Sequence, residues 1–444
     1  MKKLILIFLI FIAFGSYSQA VNYDDVAVII NDNSPASVAI GQYFQSARNI
    51  PSENMIHISA PTTEEIDSAQ FEAFLFQIEY YLTINGLADE INYIVTTKGV
   101  PLKVNYVALG LNDDGESFDA LLSLRLGDYN PNGSFFIMNP FYNSGLPFSK
   151  DEFGFCMVTR LDSYTTQEVF DLIDRSGPMT PVNPNTSQAI LDLSFLNASD
   201  SGYFLDNSID PVYQELVTDW NVSVDSNNLP IQNLTDVLFL MKASFDTTTA
   251  FIPYNFDWTE ASIGSLLSVK SASTFYDSLN IDNEVLVADI IAEGCTGALG
   301  YVGSYFFSQL PRVELLAENY LDTTIHYNLA ESFYSSFPWL ISRTVIIGDP
   351  KSSISIDNLA SSEVYSLSEI RLSPNPSSGE IEIESNENIL SLAIYSLNGK
   401  LVFECDDLQG KTIKLDLNHL QKGIYLIHVD TQSDDFRKKL VISD

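Results

Sequence analysis

Asp25-Val26-Ala27-Val28-Ile29-Ile30-Asn31-Asp32-Asn33-Ser34-Pro35 reads as a strand, a turn and a helix start in immediate succession. The run 26–30 is unbroken, apolar and rich in β-branched residues, the pattern of a strand buried on both faces. Asn31-Asp32-Asn33 ends it. Ser34-Pro35 then opens a helix, with proline at the first helical position. Val38, Ile40, Tyr43 and Phe44 give that helix one apolar face.

The same alternation continues outward. Residues 54–58 read as a second strand. Residues 64–84 read as a long amphipathic helix, with Phe71, Phe74, Leu75, Ile78 and Leu82 at helical spacing. Further strands are expected at 91–96, 154–159, 189–193, 236–240 and 297–302, and a helix at 165–175. Unbroken apolar strands alternating with helices predict an α/β domain over residues 19–351. Its centre is a three-layer, mostly parallel sheet covered on both faces. No internal repeat is visible. Residues 352–369, rich in serine and poor in aromatics, read as a linker.

Residues 370–444 have a different texture. Pro374 and Pro376 fix φ and remove two backbone donors, so the segment enters extended. The runs 392–397 and 400–404 flank Asn398-Gly399, a pair suited to a type I′ hairpin turn. Tyr425, Ile427 and Val429 alternate with Leu426 and His428, which is period two. Short strands with regular turn signals predict a small, all-β, immunoglobulin-like sandwich.

Four short motifs fall in order along this tail. They are Leu372-Ser373-Pro374-Asn375-Pro376, Tyr395-Ser396-Leu397-Asn398-Gly399-Lys400, Leu420-Gln421-Lys422-Gly423-Ile424-Tyr425, and Phe436-Arg437-Lys438-Lys439-Leu440-Val441-Ile442. Together they resemble the C-terminal sorting domain of the type IX secretion system, the Por secretion tail of Bacteroidetes. The resemblance implies recognition by that machinery, a secreted or outer-membrane-surface destination, and covalent surface attachment after tail cleavage. An appended binding module would give the same composition.

The amino end fits export. Met1-Lys2-Lys3 is a basic start, and 4–14 is an apolar stretch too short to span a bilayer. Small residues follow, so 1–18 read as a signal peptide. No later stretch is long enough for a transmembrane helix.

The formal net charge is −36, and the tail contributes only −4 of it. A main domain near −32 repels nucleic acid and anionic membranes. With 45% hydrophobic residues the chain can still bury a large core. Cys156, Cys295 and Cys405 are too few for a disulfide framework. They read as buried inert thiols, with a Cys156–Cys295 bridge as the alternative.

In open α/β sheets, ligands bind beyond the carboxyl ends of strands. Three clusters fall there: Thr96-Thr97-Lys98-Gly99-Val100-Pro101-Leu102, Arg160-Leu161-Asp162, and Lys242-Ala243-Ser244. Lys98, Asp119, Arg160 and Asp162 are the expected ligand-binding residues. Left unpaired, the two cations would form a positive island that attracts a carboxylate, sulfate or acidic glycan. Paired with Asp119 and Asp162, they would be structural.

The segments 93–102, Asn139-Pro140-Phe141-Tyr142, 158–162, 297–303 and Gly348-Asp349-Pro350 resemble an uncharacterised family of secreted bacterial proteins, which implies a fold and no activity. Gly297-Ala298-Leu299-Gly300-Tyr301-Val302-Gly303, followed by Gly348-Asp349-Pro350, is more distantly similar to the gingipain-type, caspase-like cysteine peptidases. Those enzymes need a His and a Cys at neighbouring strand ends. By segment order the His belongs near Lys242-Ala243-Ser244 and the Cys near Ser271-Ala272-Ser273, and neither residue type stands there. No catalytic residue is therefore assigned. Cys295 with His57 or His326 is the remaining dyad to test.

No zinc spacing, phosphate loop or dinucleotide fingerprint is present, and no cofactor is expected. Asp113, Asp114 and Glu116 offer oxygen ligands suited to calcium, but off the EF-hand spacing, so a solvated acidic loop is the preferred reading and calcium the alternative. Two functions compete. One is a non-catalytic, exported, caspase-like scaffold with a ligand site at its strand ends. The other is an extracellular, peptidase-like hydrolase with an unrecognised constellation.

Overall fold

The computed structural model describes residues 21–105, 115–127, 129, 137–192, 220–225, 231–243, 253–276, 285–304, 310–321, 327–340, 343–356 and most of 371–442. The signal-peptide residues lie outside that set. The chain divides into two compact units, Met1–Asn358 and Leu359–Asp444.

The first unit is built on a ten-stranded sheet. Its strands are β1 (Val26–Asn31), β2 (Met55–Ile58), β3 (Tyr93–Thr97), β4 (Met157–Leu161), β5 (Gln188–Asp192), β6 (Asn221–Asp225), β7 (Val237–Lys242), β8 (Trp258–Leu266), β9 (Gly297–Tyr301) and β10 (Thr344–Ile347). The spatial order is β6-β5-β7-β8-β9-β10-β4-β3-β1-β2. Every neighbouring pair is parallel except β9–β10. That antiparallel seam divides the sheet into two halves that run in opposite directions. In each half the second strand lies outside the first and the third on its other side. The topology thus repeats where the sequence shows no repeat.

The opening stretch behaves as read. In α1 (Pro35–Arg48), Pro35 begins the helix and the Ser34 side chain caps it by accepting from the Ser37 N–H. Asn49 ends it in the left-handed conformation. Alternate residues of β1 serve opposite faces. Val28 and Ile30 join Ile40 and Phe44 in one core, and Ala27 and Ile29 join Phe71, Leu75 and Ile78 in another. The latter three come from α2 (Ser68–Ile84). Burying each such side chain contributes about 1.5–3 kcal/mol. Two cores on two faces give the expected three layers. The other helices used below are α3 (Phe118–Arg125), α4 (Thr166–Arg175) and α5 (Val287–Glu293).

Several boundaries differ from expectation. The long helix begins at Ser68 rather than 64, because Asp67 and Gln70 form a reciprocal capping box. Glu65–Asp67 instead pairs with Lys103–Asn105 as a short strand. β4 and β7 each run two residues further than read, so Arg160 and Lys242 lie inside strands and not after them. The first unit also extends past 352, where a linker was expected. Ile354–Ile356 pairs with Thr180–Val182, and Ile354 is buried.

In the second unit, β11 (Arg371–Ser373), β12 (Glu380–Ser396), β13 (Leu401–Cys405), β14 (Gly410–Asp416), β15 (Gly423–Thr431) and β16 (Asp435–Ile442) make one antiparallel sheet. The first part of β12 pairs with β11 and β14, and its second part with β13 and β15. The strands read on either side of Asn398-Gly399 pair antiparallel as β12 and β13, while Asn398 and Gly399 lie outside the described residues. Tyr425, Ile427 and Val429 point into the core, as their alternation predicts.

Candidate functional site

The geometry brings Lys98, Asp119, Arg160 and Asp162 together at the carboxyl ends of β3 and β4. Ser117 caps α3, which presents Asp119 in its first turn. Arg160 enters from β4 with no exposed surface. Its Nε donates to Asp119 Oδ2 at 2.7 Å, and Nη2 donates to Asp119 Oδ1 at 2.9 Å. Nη2 also reaches the Pro101 carbonyl at 2.8 Å. Nη1 donates to the Val100 carbonyl at 3.0 Å and to Asp162 Oδ2 at 3.4 Å. A guanidinium has five N–H donors, and these five bonds use all of them.

Lys98 is filled in the same way. Its Nζ donates to Asp162 Oδ1 at 3.1 Å, the Ser163 carbonyl at 2.6 Å and the Phe275 carbonyl at 2.9 Å. An ammonium has three donors. The Thr96 hydroxyl completes the group by donating to Asp119 at 2.8 Å. Burial by itself would weaken the proton affinity of Arg160, but the adjacent Asp119 outweighs it and the net pull is upward. Burial pushes the Asp162 carboxyl up, against the opposing pull of Lys98 and Arg160. Two cations and two carboxylates cancel, so no positive island stands here.

The third expected cluster lies elsewhere. Lys242 ends β7 in the opposite half, so its carboxyl-end rim is on the other edge of the sheet from Lys98 and Arg160. There Lys242 Nζ donates to Asp192 Oδ2 at 3.2 Å, and the Tyr254 hydroxyl donates to the same oxygen at 2.5 Å. Asp225 stands in register beside Asp192. β5 and β7 flank the point where strand order reverses, the usual ligand crevice of such sheets. Sequence reading found Lys242 but missed Asp192, Asp225 and Tyr254. A lone acidic residue closing an apolar run was the available signal for Asp192. Ser244 lies outside the described residues.

Two of the three thiols are inert in place, and the third, Cys405, departs from the buried reading. Cys295 is fully buried, with Sγ 3.2 Å from the Gly297 carbonyl, and burial pushes its pKa up to about 12. Cys156 is fully buried in the other core, and burial raises it to about 11. Both are free, so the Cys156–Cys295 bridge is not formed. The His57 ring is half exposed and pairs with Asp32 at 2.6 Å. His326 lies outside the described residues. Cys405 is only half-buried. Native protein should therefore release one equivalent from an aromatic disulfide reagent quickly, with the other two appearing only on unfolding in urea. Three fast equivalents under native conditions would contradict this burial.

Of the calcium candidates, Asp113 and Asp114 lie outside the described residues. Glu116 is buried and accepts from Arg343 at 3.4 Å. Among the described residues, no three His, Cys, Asp or Glu side chains are grouped to hold a metal.

The family-like segments sit at closures of the fold. Asp349 is fully buried and accepts from the Tyr23 hydroxyl at 2.8 Å and Arg48 Nε at 2.6 Å. It thereby ties the first strand and first helix to the end of the unit. Gly348 has φ 131°, and a Cβ there would lie 2.9 Å from the Thr296 carbonyl. Asn139 donates to the Tyr334 and Phe337 carbonyls at 2.7 and 2.9 Å.

Residues 371–443 match the secretion system C-terminal sorting domain. The tail thus directs export through the type IX system, to the cell surface or beyond. Among the described residues, no helix is long and apolar enough to cross a membrane. No curated protein matches the chain. Its structural neighbours include gingipain R (RgpB), an Arg-specific cysteine proteinase, with a TM-score of 0.44 and 9% identity over 95% of this chain and 98% of that one. The complex of Porphyromonas gingivalis RgpB pro- and mature domains gives a TM-score of 0.41 and 8% identity over 94% and 100%. PorZ, a surface component of the type IX system of the same organism, matches 24% of this chain and 15% of its own, with a TM-score of 0.15 and 13% identity.

Proposed function

We propose that this is an exported protein whose α/β unit is a non-catalytic, caspase-like scaffold. One observation carries the reading: all eight donors of Arg160 and Lys98 are used inside the protein. The expected ligand residues therefore act as an internal brace. The second rim, where Asp192, Lys242 and Tyr254 meet, is the place for a ligand. The tail folds as an immunoglobulin-like sandwich, since β12 divides its pairing between two sets of strands. After export it is removed, and the α/β unit is attached covalently at the surface. An overall charge of −36 fits neither nucleic acid nor an anionic membrane as partner.

The experiment is incubation of the purified mature protein with a broad peptide library, with and without a thiol alkylator. No cleavage is expected. Cleavage that vanishes on alkylation, or on Cys295→Ala, overturns the scaffold reading.

A hydrolase is the second reading, and Ser268 is the observation favouring it. Its hydroxyl is buried with no partner, two residues past β8. The neighbouring Leu267 N–H donates to the Lys242 carbonyl at 2.8 Å. Ser268 and Lys242 thus share one rim, where Lys242 pairs with Asp192 at 3.2 Å. Ser268→Ala should leave the peptide-library result unchanged. Alkylation-resistant cleavage that this variant abolishes would establish the hydrolase instead.

A further inference from the structure

Helix α2 has two apolar faces. One, carrying Phe71, Phe74, Leu75, Ile78 and Leu82, is buried on the sheet. Phe76, Tyr80 and Ile84 lie on the other side, 67%, 58% and 59% exposed. The Phe76 and Tyr80 rings stack on each other, with centroids 6.3 Å apart. Ala69 and Ala73, also exposed, continue the same stripe toward the amino end. The intervals along it are four, three, four and four residues, which keeps all five on one side of the helix. At about 100° per residue it stands opposite the buried face. A surface helix ordinarily turns polar groups outward there.

We propose that this stripe is the contact between two copies of the chain, with α2 packed antiparallel on its own equivalent. The order of side-chain sizes points to that partner. Small residues occupy the first half of the stripe and large ones the second. In an antiparallel pair with its twofold axis between positions 76 and 77, Ala69 faces the other copy's Ile84. Ala73 faces its Tyr80, and the two Phe76 rings meet at the axis. Large meets small on either side of the axis, as close packing requires, and the contact is isologous. A parallel pair would set large against large.

Charge agrees with this arrangement. No charged residue lies in the stripe, in a chain of net −36. Glu72 beside it is neutralised by Arg125, at 2.5 and 2.8 Å. At roughly 150–250 Å² per aromatic side chain, the three large residues offer about 350 Å² per copy. Two copies with their flanks approach about 1,000 Å², the low end for a specific interface. The dimer is accordingly expected to be weak and reversible. Display on a surface would concentrate it.

The test uses the full mature chain in sedimentation equilibrium up to about 300 µM, with Cys405→Ser as background. Reversible dimerisation is expected, weakened at least tenfold by Phe76→Glu. Adding Phe76→Cys should give an oxidised dimer, because the two positions lie about 1.5 Å apart along the axis. Ala73→Cys should not, since its two copies are about 10 Å apart along the axis. Ala73→Cys mixed with Tyr80→Cys should cross-link. A chain that stays monomeric throughout overturns the proposal. So does a dimer indifferent to Phe76→Glu, or cross-linking of Ala73→Cys as fast as of Phe76→Cys.

Discussion

Asp119→Ala should cost the α/β unit about 3–5 kcal/mol, a large fraction of the roughly 5–15 kcal/mol by which domains are ordinarily stable. The substitution removes two of the five bonds that hold a fully buried guanidinium. Arg160 would be left with Asp162 and two carbonyls, and a buried charge with an incomplete partner set is costly. Replacing both members by apolar residues of similar volume, as in Asp119→Leu with Arg160→Met, should cost distinctly less than the single change. Urea unfolding followed by tryptophan fluorescence isolates the effect, because Trp220, Trp258 and Trp339 all lie in the first unit. The double substitution Lys98→Ala, Arg160→Ala belongs in the same series. A fold of unchanged stability in these variants would return the cluster to the role of a ligand rim.

Deleting the chain from residue 370 onward should abolish export while leaving the α/β unit folded. The match at 371–443 assigns the sorting function to this segment, and the two units are compact separately. Each has its own hydrophobic core, so removing one leaves the other's burial intact. The reciprocal fusion joins residues 352–444 to a periplasmic reporter in a host with the type IX machinery. The reporter should reach the surface or the medium. Retention in the periplasm would show that the tail is insufficient as a signal.

The sequence made some of this legible and hid the rest for definite reasons. Strand β1 and the start of α1 could be read because Val26–Ile30, Ser34 and Pro35 carry local signals that the tertiary structure obeys. Strand β8 could not. Its residues Ala261, Ser262, Gly264 and Ser265 are small or polar, and their burial comes entirely from neighbours. Strand β10 gives no hint of its direction, so the reversal at the seam was invisible. That reversal is what separates Lys242 from Lys98 and Arg160.

The site residues illustrate a second limit. Lys98, Asp119, Arg160 and Asp162 do meet, but Arg160 does so from inside β4 and Asp119 from the first turn of α3, neither of them a residue following a strand. Whether they would face a ligand or each other depends on the angle at which α3 presents Asp119 to β4, from 41 residues away in the chain. No local spacing encodes that angle. The partners at the other rim were harder still, because Asp192 looks like any acidic residue ending a strand.

The two halves of the sheet share a winding order but point their strands in opposite directions. The antiparallel seam therefore sets two buried charge clusters at opposite ends of one sheet, Lys242 with Asp192 at one and Arg160 with Asp119 at the other. A charge removed at one end leaves the hydrogen bonds of the other in place, so the two ends should respond to substitution independently.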